Sequence, residues 1–540
     1  MTFPEIALLL VTTVLLLRVV VAPSLVPEGT ARALLLTSGV LLILHLAVGG
    51  PRWQLIPVYL ILTVLSLVLL KRTRSHLLLR VLGASICGVL IMASAFLAQG
   101  FPVLQLPAPD GPYAVGTFSS ALTDNSRVET FDPPARRELA VEVWYPATAD
   151  KGRDAHPLQP LWSELYAGPI DWVSFFTGYL GHVQTHSSVG APIAQSATPF
   201  PVLLYDSGLG WTSQNTLLME HLASHGYVVV SVSHPYDQLK VHLPGAGSIL
   251  IDLAGDQSEK AEFTAVMYRT FQQVWFEMAR APNRPQRSQL ASDYLSLCDA
   301  VAGLTDPAQR RALIGRKLQA PNVSPIERRN GVANLDVFCR VLVGSKNRAI
   351  ARDVADTAFV ADQLPSIQAP IRGFSSSLDL RRMGVFGHSD GGAIAGEFCK
   401  TDGRCKAGLN MDGAQFGAHW KEPAQAPFAM LYSAGQEGLN DFAFPKGRFD
   451  HFEYDVAGAG HADFLDIGLV APVLKQLAQG PQSFGPILAG QMNAITNWTV
   501  LTFFDHYLKG EVADLSPPAR FPELTLSPAE SSATRSGPRR

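Results

Sequence analysis

The chain has 540 residues, with 43 basic against 46 acidic side chains, and 47% of its residues are hydrophobic. Such a length exceeds one small domain and is sufficient for a large core. The near-neutral charge gives no electrostatic basis for binding nucleic acid. Because the apolar residues are concentrated in the first hundred positions, that region differs in kind from the rest of the chain.

Four long apolar runs occupy the first hundred residues, at about 3–22, 33–48, 55–70 and 77–97. Each is near the roughly 20 residues that a helix needs to cross a bilayer. A signal peptide would be one short apolar region with a cleavage site, and a soluble helix would carry a polar face. We therefore expect four transmembrane helices and an integral membrane protein, with a soluble four-helix bundle as the alternative.

Basic residues in the loops indicate the orientation of these helices. Lys71, Arg72 and Arg74 lie between the third and fourth runs. Because basic loops stay in the cytoplasm, the fourth helix would exit on the far side. The rest of the chain would then be periplasmic or extracellular. Arg52, between the second and third runs, disagrees mildly with this orientation.

Four of the five cysteines lie in the large C-terminal region, namely Cys298, Cys339, Cys399 and Cys405. The last two close a short loop with turn residues at its tip. An oxidising compartment would allow that bridge, and four unpaired thiols are the alternative.

After residue 100 the sequence predicts three parts: a linker at 101–135 that leads into the domain, an α/β domain at 136–510 and a disordered tail at 511–540. Strand, helix and strand at about 200–205, 213–225 and 227–232 form a βαβ unit. Residues 240–350 interrupt this alternation as an insertion and candidate lid, with an amphipathic helix at about 259–280. The alternation then resumes with elements at about 351–364 (helix), 383–386 (strand), 406–411 (strand), 428–432 (strand), 449–456 (strand) and 486–510 (helix).

The hexapeptide Gly387–Gly392 has the sequence Gly-His-Ser-Asp-Gly-Gly and directly follows the apolar run Met383–Phe386. A strand, then Gly-x-Ser-x-Gly, then a helix is typical of a nucleophile elbow, in which the serine projects from a sharp, strained turn. The glycines let the strand and helix pass closely. Ser389 is therefore the candidate nucleophile, and an ordinary turn is the alternative.

A nucleophilic serine needs a base and an orienting acid, which follow it in the order acid, then histidine, in folds of this type. His461 is the preferred base because it lies in a glycine-rich loop after the last strand. Asp412 follows one strand, and Glu437 and Asp441 follow the next, so the local sequence leaves the acid open between these positions.

Two backbone N–H groups are needed to hold the oxyanion. One belongs to the residue after the nucleophile, Asp390, and the other to the loop after the strand at 200–205. Leu209, within Gly208-Leu209-Gly210, is the preferred second donor, and a simple glycine turn is the alternative reading of that loop.

These segments together resemble the platelet-activating factor acetylhydrolase family of α/β-hydrolases, the plasma type. The likeness covers roughly residues 110–510 without most of 240–350, and it leaves out the apolar N-terminal region. The residues that carry it are Gly111–Gly116, Val143–Pro146, Pro201–Tyr205, Gly208–Gly210, Leu222–Tyr227, His234-Pro235, Gly387–Gly392, Met411–Gly413 and Gly460-His461.

The resemblance implies an α/β-hydrolase fold, with a mostly parallel sheet and helices on both faces. It also implies a calcium-independent serine esterase that acts on short or oxidised acyl chains of phospholipids, with Asp412 as the acid. Relatives include general carboxylesterases and polyesterases. Ser207 replaces a common histidine, and Asp390 replaces a usually apolar residue, where its carboxylate would oppose the oxyanion unless it points away.

The function expected from the sequence is that of a membrane-anchored serine carboxylic ester hydrolase, with an ester or phospholipid as substrate. No cofactor, metal or nucleic acid is expected, and the oligomeric state stays open. The alternatives are a peptidase, lactonase or polyesterase of the same fold and a non-catalytic membrane sensor with a hydrolase-like ectodomain.

Overall fold

The computed structural model describes residues 3–18, 27–71, 77–148, 155–157, 179, 183–244, 247–252, 281, 283–319, 325–444, 448–480 and 483–527. The chain divides into two compact units. The first comprises Met1–Pro107, Pro157–Thr185 and Ile467–Leu477, and the second comprises Ala108–His156, His186–Asp466 and Ala478–Arg540.

The helices are, in chain order, α1 (Phe3–Leu16), α2 (Glu28–Gly49), α3 (Ile56–Lys71), α4 (Leu77–Gly100), α5 (Thr216–Ser224), α6 (Arg284–Ala302), α7 (Pro307–Leu318), α8 (Pro325–Val337), α9 (Gly344–Gln363), α10 (Asp390–Thr401), α11 (Ile467–Val470), α12 (Pro472–Leu477) and α13 (Ala489–Phe504).

The strands are β1 (Ala114–Val128), β2 (Arg136–Ala147), β3 (Ala155–Pro157), β4 (Gln184–Val189), β5 (Phe200–Asp206), β6 (Val228–Val232), β7 (Lys240–Leu243), β8 (Gly247–Leu250), β9 (Leu378–His388), β10 (Cys405–Met411), β11 (Phe428–Ser433), β12 (His451–Val456) and β13 (Leu524–Ser527).

The first unit contains α1 to α4, whose packed interior includes Leu8, Leu55 and Val58. Within the described residues, two helical stretches, Glu28–Ala47 and Val81–Gly100, are long and apolar enough to cross a membrane by length and composition. The helices α1 and α3 are shorter, with 14 and 16 residues. The expectation of four full-length spans is therefore supported for two of the four helices.

A buried ion pair accounts for the one basic residue that disagreed with the predicted orientation. Arg52 lies just before α3, and its Nη1 is 2.6 Å from Oε1 of Glu5 at the start of α1, with both side chains almost fully buried. The same guanidinium donates to the carbonyl oxygens of Ala98 and Phe101 at the end of α4. Arg52 therefore fixes the ends of helices to one another instead of contributing a free loop charge.

The second unit is built on an eleven-stranded sheet in the order β13-β12-β11-β10-β9-β5-β6-β2-β1-β4-β3. The six strands from β12 to β6 in this order are parallel to their neighbours, and β2 and β13 join them antiparallel. All residues of β5 and β6 are buried, as expected for central parallel strands covered on both faces. A mixed α/β fold with a large, mostly parallel sheet is thus confirmed.

Two terminal segments carry more structure than the sequence predicted. The expected linker contains β1, which pairs antiparallel with β2 along most of its length, and the expected disordered tail contains β13, which pairs with β12. Both were missed because their residues are about half polar, and short-range patterns do not reveal which remote strand a segment pairs with. The predicted helix at 259–280 lies outside the described residues.

The insertion at 240–350 contains the β7–β8 hairpin, the helices α6 to α8 and the start of α9. A disulfide joins Cys298 in α6 to Cys339, just after α8, and another joins Cys399 in α10 to Cys405 at the start of β10. All four cysteines of this unit are therefore paired.

Candidate active site

Ser389 lies between β9 and α10 with backbone angles of φ 59° and ψ −127°. A positive φ is uncommon for a residue with a side chain and marks a strained turn. A Cβ added at Gly387 would lie 2.3 Å from the Gly391 carbonyl carbon, and one at Gly391 would lie 1.8 Å from the Asp206 oxygen. The glycines on both sides of Ser389 are therefore required by close backbone contact, as the motif predicts.

Asp412 directly follows β10, the neighbour of the Ser389 strand, and it also has a positive φ, of 57°. Its buried Oδ2 lies 2.7 Å from Nδ1 of His461. Ser433 donates to this carboxylate from its backbone N, at 2.7 Å, and from its Oγ, at 2.9 Å. Asp412 is thus fixed by three hydrogen bonds and can orient the His461 ring with its Nε2 away from the acid.

The other acids considered from the sequence are engaged elsewhere. Glu437 forms an ion pair with Arg287 at 2.5 Å, and Asp441 forms one with Arg284 at 2.7 Å. Both arginines belong to α6 in the insertion. Of the three candidates, Asp412 is therefore the one that the structure brings to His461.

The three other histidines that follow Ser389 in the chain, His419, His451 and His506, also have other partners. His451 contacts Glu453 at 3.0 Å, and His419 contacts Glu397 at 2.7 Å. The ring of His506 lies against Tyr507, with 4.7 Å between centroids. These contacts agree with the preference for His461 as the histidine of the site.

His388, the variable residue of the Gly-x-Ser motif, contacts both the backbone and the ring of His461. Its Nε2 donates to the His461 carbonyl oxygen at 3.0 Å, and the two ring centroids are 4.6 Å apart. Burial and the nearby His461 lower the pKa of His388 well below its ordinary value. His388 is therefore neutral and adds no competing positive charge beside His461.

The loop after β5 lies directly against the Ser389 elbow. Gly208 has a φ of 65°, and a Cβ there would come within 2.7 Å of the His388 carbonyl oxygen and 2.9 Å of the Asp390 nitrogen. Gln214 and Gln238 donate to the carbonyl and hydroxyl oxygens of Ser207, at 2.9 and 2.7 Å. Leu209 directly follows Gly208 in this loop, and the role of the Leu209 and Asp390 N–H groups as oxyanion donors stays a prediction.

A buried charge network supports the base of this loop. The last residue of β5, Asp206, accepts from Nε2 of His234 at 2.9 Å, while Nδ1 of His234 faces Asp356 at 3.1 Å. Burial alone would lower the pKa of His234, but Asp353 and the two hydrogen-bonded carboxylates raise it well above its ordinary value. The ring is therefore an imidazolium that fixes the direction in which the loop leaves the sheet.

Asp390 is paired with a residue that the sequence gave no reason to place there. Lys346, in the first turn of α9, contacts the Asp390 carboxylate through its ammonium group, with both side chains mostly buried. Asp390 is also the first residue of α10, where a negative charge is favourable. The charge that was expected to oppose an oxyanion is thus compensated by a lysine from the insertion.

His388, Lys346 and the interaction between His234 and Asp206 were not identified as parts of the site from the sequence. His388 carried a local signal, since it lies inside the motif, and His234 lies in a segment that contributed to the family resemblance. Lys346 had no such signal, because its partner is 44 positions away and nothing local indicates that approach.

The fold and the site define a mixed α/β protein with a strained serine at a strand–helix turn and an Asp–His pair beside that strand. The sequence matches no protein-family model and no curated protein. The solved structure of a ferulic acid esterase from Streptomyces cinnamoneus is similar, with 23% sequence identity and a TM-score of 0.51. The match covers 79% of this chain and 99% of that chain, and at this identity it establishes a likeness of fold.

Proposed function

We propose that this protein is a serine carboxylic ester hydrolase of the α/β-hydrolase fold, with Ser389, His461 and Asp412 as its catalytic residues. The observation that carries the proposal is the 2.7 Å hydrogen bond between His461 and the buried Asp412, on the strand next to the strained Ser389. An ordinary turn would need neither the strain nor the oriented histidine.

In the proposed reaction, the Ser389 hydroxyl attacks the ester carbonyl carbon while Nε2 of His461 accepts its proton. The backbone N–H groups of Leu209 and Asp390 stabilise the negative charge on the carbonyl oxygen. His461 then gives this proton to the leaving alkoxide. In the second half of the reaction His461 accepts a proton from a water molecule that attacks the acyl carbon, and it returns the proton to the Ser389 oxygen as the acyl–serine bond breaks. Asp412 holds the ring and stabilises its charged form.

We further infer a relation to the platelet-activating factor acetylhydrolase family and a short-acyl ester as substrate, with phospholipids as the physiological class. The motifs from residue 110 to 510 support this inference. The name of the structurally similar ferulic acid esterase supports ester over amide chemistry in this fold, although a fold alone does not determine a substrate.

A substrate comparison with the purified full-length protein in detergent tests the proposal. We expect p-nitrophenyl acetate and p-nitrophenyl butyrate to be hydrolysed faster than the p-nitrophenyl ester of a long-chain fatty acid. The matching p-nitroanilides should be hydrolysed only at the background rate. Phosphatidylcholines with an acetyl or an oleoyl group at the sn-2 position then test the phospholipid assignment, with the acetyl form expected as the better substrate.

Three other outcomes of this comparison are informative. Faster hydrolysis of anilides than of esters would indicate a peptidase. Hydrolysis of the p-nitrophenyl esters without hydrolysis of either phosphatidylcholine would retain the serine mechanism and reject the phospholipid assignment. No turnover of any of these substrates would support the non-catalytic sensor instead.

We also propose that α1 to α4 anchor the protein in a membrane, with the α/β unit on the periplasmic or extracellular side. Large apolar side chains are exposed on these helices, among them Leu36 (75%), Leu60 (61%) and Met92 (66%). The basic loop after α3 supports a cytoplasmic position for that loop. The two disulfides are typical of an oxidising compartment.

Paired reporter fusions test this orientation. Fusion after Ser527 keeps β13 in the sheet, and we expect alkaline phosphatase to be active and green fluorescent protein to be dark at this position. A matched fusion within the loop at residue 74 should give the reverse pattern, because that loop is expected in the cytoplasm. Fluorescence after Ser527 would contradict the proposed side, and equal results at both positions would contradict the crossing of α4.

A further inference from the structure

Three side chains that could share a metal ion meet at the end of α5, apart from the catalytic residues. His221 lies in the last turn of α5, His225 follows that helix, and Asp110 lies near the beginning of the second unit. Nδ1 of His221 is 3.0 Å from Oδ1 of Asp110, and Nε2 of His225 is 3.7 Å from the same oxygen. One ligand atom from each residue lies within 4.8 Å of the others.

The hydrogen bonds of His225 determine which of its ring nitrogens carries a proton. Its Nδ1 is 2.9 Å from the carbonyl oxygen of His221. Because a carbonyl oxygen only accepts, Nδ1 is the protonated nitrogen. In the neutral ring, Nε2 therefore presents a lone pair towards Asp110. A metal ion between these two atoms would be bonded by both of them.

The same arrangement is typical of metal-bound histidines, which usually donate their other ring N–H to a carbonyl or a carboxylate. Zinc bonds of about 2.0–2.1 Å in tetrahedral geometry place neighbouring ligand atoms about 3.3 Å apart. The two measured separations, 3.0 and 3.7 Å, lie on either side of this value. We propose that Asp110, His221 and His225 form a zinc site, in contrast to the expectation from the sequence that the protein binds no metal.

A second cluster, His234 with Asp353 and Asp356, meets the same distance criterion but does not suit a metal. Both ring nitrogens of His234 are hydrogen-bonded to buried carboxylates, whereas His221 and His225 each have only one ring nitrogen at the Asp110 carboxylate. Nη2 of Arg137 is 2.5 Å from Asp356 and already supplies a positive charge. The chemistry of the donor groups therefore distinguishes the two clusters.

The surroundings of the proposed site permit a metal to reach it. The side chain of Asp110 is 78% exposed, whereas His221 is mostly buried, so the site opens to solvent on the side of the carboxylate. The nearby Lys509 is held by Asp505 at 2.7 Å and donates to the His225 carbonyl oxygen at 2.8 Å. Its charge is thus already paired.

A zinc ion here would attach the start of the second unit to α5. The adjacent residue Gly111 already lies so close to Ser224 that an added Cβ would be 2.2 Å from its carbonyl oxygen. Tyr113 donates to the same oxygen at 3.0 Å. The helix α5 directly follows the loop that contains Leu209, so the metal would stabilise the element that supports this side of the candidate active site.

Zinc binding to the metal-free, full-length protein in detergent tests the proposal by equilibrium dialysis. We expect saturation at about one zinc ion per chain and binding weakened by about 100-fold or more in Asp110→Asn and in His225→Gln. Both substitutions affect side chains that are at least partly exposed, so the variants should fold, which far-ultraviolet circular dichroism verifies. His242→Gln, at an exposed histidine of β7, is the matched control and should bind like the wild type.

Cobalt provides a second readout that does not depend on enzymatic activity. Co²⁺ bound to the wild type should show the intense visible absorption of four-coordinate cobalt, and this absorption should be lost in both ligand variants but retained in His242→Gln. A lack of saturable zinc binding by the wild type would overturn the proposal. Unchanged binding in both ligand variants would place the metal elsewhere and would also overturn it.

Discussion

Replacing Ser389 with alanine is expected to lower kcat for p-nitrophenyl acetate on the order of 10⁶-fold, the size of the loss when the nucleophile of a protease triad is removed. The reason is that the proposed acyl-enzyme cannot form without the hydroxyl at the elbow. The measurement is the initial rate of p-nitrophenolate release by purified protein, with KM determined separately. Residual activity would come from the oxyanion donors and from substrate binding alone.

A fluorophosphonate probe gives an independent measure of the same role. The wild type should be labelled at Ser389, and Ser389→Ala should not be labelled. Ser376→Ala is the control, since Ser376 is exposed in a turn before β9 and bonds only locally to Gly373 at 2.9 Å. Intact turnover by Ser389→Ala, or equal labelling of both proteins, would reject the proposed mechanism.

Replacing Asp412 with asparagine is expected to reduce kcat by about 10⁴-fold, as found for the acid of a serine protease triad. The amide can donate to Nδ1 of His461, which would place the ring proton on Nε2 and leave no lone pair to accept the serine proton. The amide also cannot stabilise the imidazolium that forms during attack. Steady-state kinetics with p-nitrophenyl acetate measure the effect, and fold retention is verified by thermal melting.

Glu437→Gln and Asp441→Asn are the matched controls for this prediction. Each removes the negative charge of an acid that follows β11, yet each breaks an ion pair with α6 instead of a contact with His461. Their kcat values should stay within about threefold of the wild type, since partly exposed ion pairs contribute roughly 0–1 kcal/mol. A large loss in either control together with a small loss in Asp412→Asn would move the acid to the following strand.

The environment of Asp390 shows how this chain can tolerate a carboxylate where an oxyanion is expected to form. Lys346 pairs with that carboxylate, and α10 begins at the same residue. The backbone N–H of Asp390 is therefore available as a donor without an uncompensated negative charge beside it. The carboxylate at residue 390 is therefore neutralised by a lysine that the insertion supplies.

Much of the α/β unit could be predicted from the sequence because its signals are local. The continuous apolar runs of β5 and β6 indicate buried parallel strands, and the spacing of glycines around Ser389 reflects contacts within a few residues of the turn. By contrast, β1 and β13 were missed, since the formation of a half-polar strand depends on a partner elsewhere in the chain.

The position of the acid illustrates what local sequence leaves open. Asp412, Glu437 and Asp441 all follow strands, so their sequence contexts are nearly equivalent. Only the fold distinguishes them, because Arg287 and Arg284 of α6 engage Glu437 and Asp441. Those ion pairs span 150 and 157 positions of the chain, a distance over which no periodic pattern carries information.

The sequence by itself determined the order of apolar helices and α/β unit, the serine turn and the residues that could serve it, because turns and buried strands are specified by neighbouring residues. Only the tertiary structure decided which side chains meet: Asp412 with His461, Lys346 with Asp390, and Arg52 with Glu5. The physical reason is that hydrogen bonds and ion pairs depend on distances of a few ångströms between segments remote in the chain, and folding alone sets those distances.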